Sequence, residues 1–278
     1  MQERTDLGIQ PESQHRTMMR ILILRPGRTA AEVRQVHGDY DRWFTDAIAG
    51  GRCSFDVRDV TREEIPPLEG FAGVIVTGSV SAAYRQEPWM ARLIPFLANL
   101  DPHETPVLGV CFGAQILAHA RGGSVIQNPE GWEIGGVTVE AVQAASTDPL
   151  FLGLPPVFGA LATHEDRIEA MPPGAVLLAG NAHTPIQAFR IGSRLWGVQF
   201  HPEATREILS KLIRLRADQL SRDAVAHGEQ TEAYVMRLLD SLRPGQVDQG
   251  RRILDNFVSV CLRERLQGQG STPASPSA

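Results

Sequence analysis

The sequence predicts an α/β protein built on a mainly parallel sheet flanked by helices, with a mixed-strand extension and C-terminal helices. Three observations lead there. As far as Gly123, short apolar runs alternate with amphipathic stretches, the pattern of strands joined by crossover helices. After Gly123, strand-like runs follow one another between Gly, Pro and Asn. From Ala204 the periodicity turns helical.

In order, "RILIL" (20–24) reads as a buried strand, and "YDRWFTDAIA" (40–49) spaces Trp43, Phe44, Ala47 and Ile48 as one helix face. "SFDVRDV" alternates as a strand does, and "GVIVTGS" (73–79) is a second buried strand entering a glycine turn. "EPWMARLIPFLANL" is an amphipathic helix with Pro88 near its start, where proline is tolerated. "VLGVCFGAQILAHARGG" (107–123) is a strand running straight into a helix. "SVIQN", "GGVTVEAV", "AVLLAG", "TPIQAFRI" and "RLWGVQF" are the strands of the extension. "TREILSKLIRLRADQL", "TEAYVMRLLDSL" and "GRRILDNFVSVCLRERL" are helices, the last two separated by a break at "RPGQ" (243–246). The predicted organisation is a disordered lead-in (1–19), an α/β domain (20–203), a helical extension packed on it (204–268) and a disordered tail (269–278).

Composition narrows the function. Of the 278 residues, 42% are hydrophobic and 21% charged, which suits a soluble globular protein with a sizeable core. A net charge of −5 argues against nucleic acid as a partner, since such proteins carry basic patches that neutralise phosphates. The densest arginine cluster, Arg214 to Arg222, is interleaved with Asp218 and apolar residues and reads as a solvated helix face. No apolar run approaches the roughly 20 residues that span a bilayer, so no membrane association is expected. Cys53, Cys111 and Cys261 are odd in number and widely spaced, which predicts neither a disulfide framework nor a metal site. A reducing, cytoplasmic setting follows.

One cysteine sits where chemistry is done. Cys111 lies on the bend between strand and helix, flanked by Gly109 and Gly113. Such a bend projects its residue at the carboxyl end of the sheet, where α/β proteins build sites. The glycines allow close contacts a Cβ would block. The following helix directs its N-terminus and free N–H groups at the sulfur. A thiol nucleophile wants a base. Of eight histidines, His201 follows the strand "LWGVQF" directly and precedes Pro202 and Glu203. Proline restrains the residue before it toward extended angles. Residues two apart on an extended segment share a side, so Glu203 can orient His201.

"GVCFGAQ" with "GVQFHPE" further on, Cys111 and His201 standing 90 positions apart, resembles the class I, triad-type glutamine amidotransferases, above all stand-alone proteins similar to the amidotransferase domain of GMP synthase. "VIVTGSVSAAY", "NPEGWEIG", "ATHEDRIEAMPPGAVLLA" and "PIQAFRIG" support the likeness, which runs from about Arg20 to Glu203. The resemblance implies a flavodoxin-like sheet and a cysteine hydrolase acting on the γ-amide of glutamine or an N-substituted γ-glutamyl amide, through a γ-glutamyl thioester. It implies Cys111 as nucleophile, His201 as base and acid, Glu203 as its orienting carboxylate, and an oxyanion hole from the N–H groups of Gly78 and Phe112. Gln115, Ser79 and His164 would contact the substrate, with Asp166 on the same loop as His164. No metal and no cofactor are implied.

Ala114 departs from the family, many members of which carry His or Met there. It is a good helix former, or it leaves room for a substituent on the amide nitrogen. With no G-x-x-x-x-G-K-[ST] and no S-G-G-x-D-S, the chain holds no ATP-handling module of its own. It would act alone on a small γ-glutamyl amide, or pass ammonia to a separate amide synthase or ligase partner; a non-catalytic regulatory relative is the third possibility.

Overall fold

Met19–Arg25 forms β1, and its alternate residues serve two interiors: Ile21 and Ile23 enter one core, Leu22 and Leu24 the other. Successive side chains of a strand point to opposite faces, so a strand apolar at nearly every position must be covered on both. Gly73–Val76 (β3) and Val107–Val110 (β4) are buried at every position for the same reason. The structure, a computed structural model, describes residues 18–48, 51 and 53–269, with side chains through Glu264.

The remaining strands are Cys53–Asp59 (β2), Ser124–Gln127 (β5), Glu133–Ala141 (β6), Val157–His164 (β7), Asp166–Ala170 (β8), Ala175–Gly180 (β9), Ala188–Ile191 (β10) and Leu195–Val198 (β11). Nine of them form one sheet in the order β2-β1-β3-β4-β11-β10-β9-β6-β7. Pairs from β2 to β11 are parallel, and pairs from β11 to β7 antiparallel. β5 and β8 pair separately. The architecture is therefore an α/β sheet whose parallel half carries an antiparallel extension.

The helices are Ala31–His37 (α1), Tyr40–Ala47 (α2), Met90–Ala98 (α3), Phe112–Ala120 (α4), Arg206–Leu215 (α5), Ser221–Ala226 (α6), Thr231–Asp240 (α7) and Pro244–Gln269 (α8). α3 and α4 cover the Leu22/Leu24 face through Leu93, Leu97, Ile116 and Leu117. α8 covers the other face, setting Ile253, Leu254, Phe257 and Val258 in one core with Ile21, Ile23 and Trp196. α5, α6 and α7 share a third cluster with Tyr40, Trp43, Ile134 and Leu161.

Several boundaries differ from expectation. Met19 belongs to β1 and is 2% exposed, so ordered structure begins before residue 20. Most of the expected lead-in (1–17) and tail (270–278) lies outside the described residues. α3 starts at Met90, after Pro88. The break expected at "RPGQ" separates the last two helices but falls earlier, at 241–243: Pro244 already opens α8, a first-turn position whose missing N–H would have no intrahelical partner anyway. α1, α6, β7 and β8 were not anticipated.

Candidate active site

Three neighbouring parallel strands end side by side, and each delivers one part of the site. β3 leads to Gly78, β4 to Cys111 and β11 to His201. The register pairs Val198 with Val110, and the Cys111 N–H donates to the Val198 carbonyl at 2.8 Å, so Cys111 is fastened to the strand that leads to His201.

Cys111 has φ 52° and ψ −108°, the one positive φ at a non-glycine among the described residues. That conformation strains an L-residue, and strained backbone of this kind gathers at reactive centres. Its neighbours must be glycine. A Cβ on Gly113 would stand 2.0 Å from the Val76 carbonyl oxygen, and one on Gly109 would stand 2.5 Å from the Gly113 oxygen. The tight packing of α4 against β3 and β4 is what throws the Cys111 side chain outward. Phe112 opens α4, and the first N–H groups of a helix have no intrahelical acceptor.

Nδ1 of His201 lies 2.8 Å from Glu203 Oε1, with the two side chains 3% and 0% exposed. Nε2 is buried without a well-formed hydrogen bond and has the Cys111 thiol as its polar neighbour. Burial alone would lower the His201 pKa; the charges of Glu203 and Cys111 and their hydrogen bonding outweigh it and raise it from 6.5 to about 10. The second Glu203 oxygen, Oε2, has no partner. The Gly78 N–H donates to no acceptor among the described residues. A Cβ there would lie 3.1 Å from His201 Cε1 and 3.3 Å from Tyr40 Cε1, so glycine lets the imidazole and phenol close over the turn. Tyr40 arrives at the start of α2, whose cap Asp39 accepts the N–H groups of Tyr40 and Thr29 at 3.0 and 2.9 Å.

Cys111 opens into a cleft of about 430 Å³, within the size range of small-molecule sites. Ser79, Gln115 and His164 line it. Ser79 donates to the Pro26 carbonyl at 2.6 Å and accepts from the Ser81 N–H at 3.1 Å. Gln115 donates from Nε2 to the Asp166 carbonyl at 2.9 Å and to Gln199 Oε1 at 3.1 Å, which leaves its own oxygen to face the cleft. His164 lines the cleft with its ring held from both sides. Its Nε2 lies 2.9 Å from Glu133 Oε2 and its Nδ1 2.9 Å from the Asp166 carbonyl, so neither nitrogen is spare. Glu133 also accepts from Asn181 and Gln187, both at 2.6 Å. Burial would raise the Glu133 pKa; the His164 hydrogen bond and charge, with Asn181 and Thr184, instead lower it from 4.5 to about 2. The pair braces the floor of the cleft. Ala114 is corrected: it is fully buried in the core against α3 and does not line the cleft, so its size opens no room there.

The family model for glutamine amidotransferase class-I matches residues 36–214. The chain belongs to this family. Gamma-glutamyl peptidase 5 of Arabidopsis thaliana is 28% identical over 186 residues, 65% of this chain and 74% of that protein. A GMP synthase [glutamine-hydrolyzing] of Thermomicrobium roseum is 33% identical over 207 residues, 72% of this chain but 37% of that protein. Among solved structures, a glutamine amidotransferase from Thermotoga maritima covers 86% of this chain and 98% of its own at 24% identity, TM-score 0.66. One from Methylobacillus flagellatus covers 89% and 96% at 22% identity, TM-score 0.69. Both share the fold.

Within this class I amidotransferase, sequence reasoning overlooked four residues around Cys111 and its cleft: Tyr40, Glu133, Trp132 and Arg216. Glu133 and Trp132 lay inside "NPEGWEIG", quoted for its family likeness without a role. Arg216 and Arg222 lay in the cluster read as a solvated helix face, yet both line the cleft. Helical spacing carries no signal for this, because α5 ends at Leu215 and Arg216 is its cap residue. Among the described residues no group of three His, Cys, Asp or Glu could hold a metal ion, and no helix is long and apolar enough to cross a membrane.

Proposed function

We propose that this amidotransferase is a cysteine-dependent hydrolase of γ-glutamyl amides, releasing glutamate and ammonia or an amine. Cys111 Sγ attacks the γ-carbonyl carbon after its proton passes to His201 Nε2. The Gly78 and Phe112 N–H groups hold the oxyanion. As the C–N bond breaks, His201 gives that proton to the departing nitrogen, leaving a γ-glutamyl thioester. A water then attacks, its proton goes to His201, and the C–S bond breaks to free glutamate and restore the thiol. Glu203 fixes the imidazole orientation throughout.

The observation that carries this proposal is the strained Cys111 set beside a buried His201–Glu203 pair held at 2.8 Å. The Arabidopsis likeness, over 74% of a protein named a gamma-glutamyl peptidase, favours a self-sufficient hydrolase. The GMP synthase likeness favours a second reading, a glutaminase subunit that delivers ammonia to a separate synthase.

Glutamate release by the purified chain, given glutamine or γ-glutamyl alkylamides and anilides, separates the two. Turnover without a partner supports the hydrolase, and silence lifted only by an added synthase supports the subunit. Cys111→Ala or Cys111→Ser abolishes turnover on either reading, whereas Cys53→Ala and Cys261→Ala keep it. Equal behaviour of all three positions overturns the choice of nucleophile.

A further inference from the structure

Three arginines line the catalytic cleft: Arg85, Arg216 and Arg222. None has a carboxylate within ion-pair distance among the described residues, although Arg25, Arg190 and Arg194 elsewhere each have one. Arg216 is the one set deepest. Its guanidinium lies 4.9 Å from the centre of the Trp132 ring and donates to Thr163 Oγ1. Burial lowers its pKa, opposed by Tyr40, Cys111 and Glu165. A guanidinium presents five donors in a planar fork that matches a carboxylate. Stacked and half-buried without a counter-ion, this one is preorganised for an anion.

The geometry also distinguishes the two ends of a γ-glutamyl substrate. The departing nitrogen must lie on the imidazole side of the sulfur, because His201 gives it its proton. Tyr40 marks that side, its ring edge meeting the same point over Gly78 as His201 Cε1. Arg216 interacts electrostatically with both Tyr40 and Cys111. Asp166 and Arg85, of opposite charge, also line the cleft and suit the zwitterionic glutamyl head. The cleft adjoins a second hollow of about 210 Å³, the two sharing Gln127, Trp132, Glu165, Gln219 and Arg222. The Trp132 backbone N–H donates to the Asp223 carboxylate of α6 at 3.1 Å, so the C-terminal helices brace this wall. Arg216 and Arg222 also lie past residue 214, where the family match ends.

We propose that Arg216, stacked on Trp132, reads a carboxylate on the leaving group, so that γ-glutamyl dipeptides are preferred over glutamine and neutral γ-glutamyl amines. This rests on the hydrolase reading above. The reaction consumes one water and yields glutamate and a free amino acid. Because the carboxylate sits on the atom next to the departing nitrogen, γ-glutamylglycine and γ-glutamylmethylamide form a matched pair differing only in that group.

The test measures kcat/KM for both compounds. The wild-type chain is expected to favour γ-glutamylglycine by about 10- to 100-fold, the size of a charge-assisted contact. In Arg216→Met, which keeps the stem over Trp132, that ratio falls toward one; Arg216→Lys, with charge but no fork, keeps part of it. A wild-type ratio near one overturns the proposal and leaves the hydrolase standing. So does a ratio unchanged in Arg216→Met, or an equal loss on both compounds, which would assign Arg216 to the shared glutamyl head. No wild-type turnover of either compound overturns the hydrolase reading, and the subsite with it.

Discussion

At the scale of single residues, His201 and Glu133 show one principle with opposite signs. Each is buried, which disfavours its charge, and each is held charged by a partner. For His201 the folded pKa is raised to about 10. Its pairing therefore stabilises the fold fully below the unfolded value of 6.5 and is lost as pH rises through about 10. In the proposed mechanism the imidazolium is also the proton donor to the leaving nitrogen, so the alkaline limb of kcat/KM is expected near pH 10; a limb near 6.5 would contradict the pairing. Glu203→Gln removes the charge that raises His201, so it moves that limb downward while lowering the maximum. Glu133 runs the other way, with a folded pKa lowered to about 2. Its contribution is complete above 4.5 and fades as pH falls from there toward 2. Urea midpoints measured across that range should drop for the wild type and stay flatter for Glu133→Gln. That variant is itself destabilised at neutral pH by about 1–3 kcal/mol, because an amide offers one acceptor oxygen where the carboxylate offers two to His164, Asn181 and Gln187.

At the scale of elements, the site depends on how closely α4 seats against β3 and β4. Gly113→Ala places a methyl 2.0 Å from a backbone oxygen of β3, which cannot swing aside as a side chain can. The expected cost is about 1–3 kcal/mol or more, read as a fall in urea midpoint, with loss of turnover as the Cys111 bend opens. This bend and the parallel strands were legible in the sequence because apolar runs bounded by glycine need no tertiary information. The elements that were not legible lack such a signature. α1 buries only Val33, so its seven residues show no apolar face. β8 buries only Ile168 and pairs with a single neighbour. β7 is buried almost continuously from Phe158 to His164, which a short run of small residues cannot distinguish from a buried turn. At the site, Cys111, His201 and Glu203 were legible from local spacing, whereas Arg216, Trp132 and Tyr40 meet only through the fold, from segments far apart in the chain.

At the scale of the molecule, the helices after Ala204 belong to the same cooperative unit as the sheet. α8 contributes Ile253, Leu254, Phe257, Val258 and Val260 to the core that also holds Ile21, Ile23, Phe44 and Trp196. Burying such side chains stabilises by about 1.5–3 kcal/mol each, so the five together rival the roughly 5–15 kcal/mol that separates a folded domain from its unfolded chain. Removing α8 would also strip the cover from one face of β1, leaving apolar strand surface open to self-association. A chain ended after Arg243 is therefore expected to lose its near-ultraviolet circular dichroism or to precipitate. The full chain should unfold in urea in one transition, with fluorescence and far-ultraviolet signals coincident. If the shortened chain instead keeps a native-like spectrum and turns over γ-glutamyl substrates, α8 is an appendage. The core shared by β1 and α8 would then contribute far less than its buried area implies.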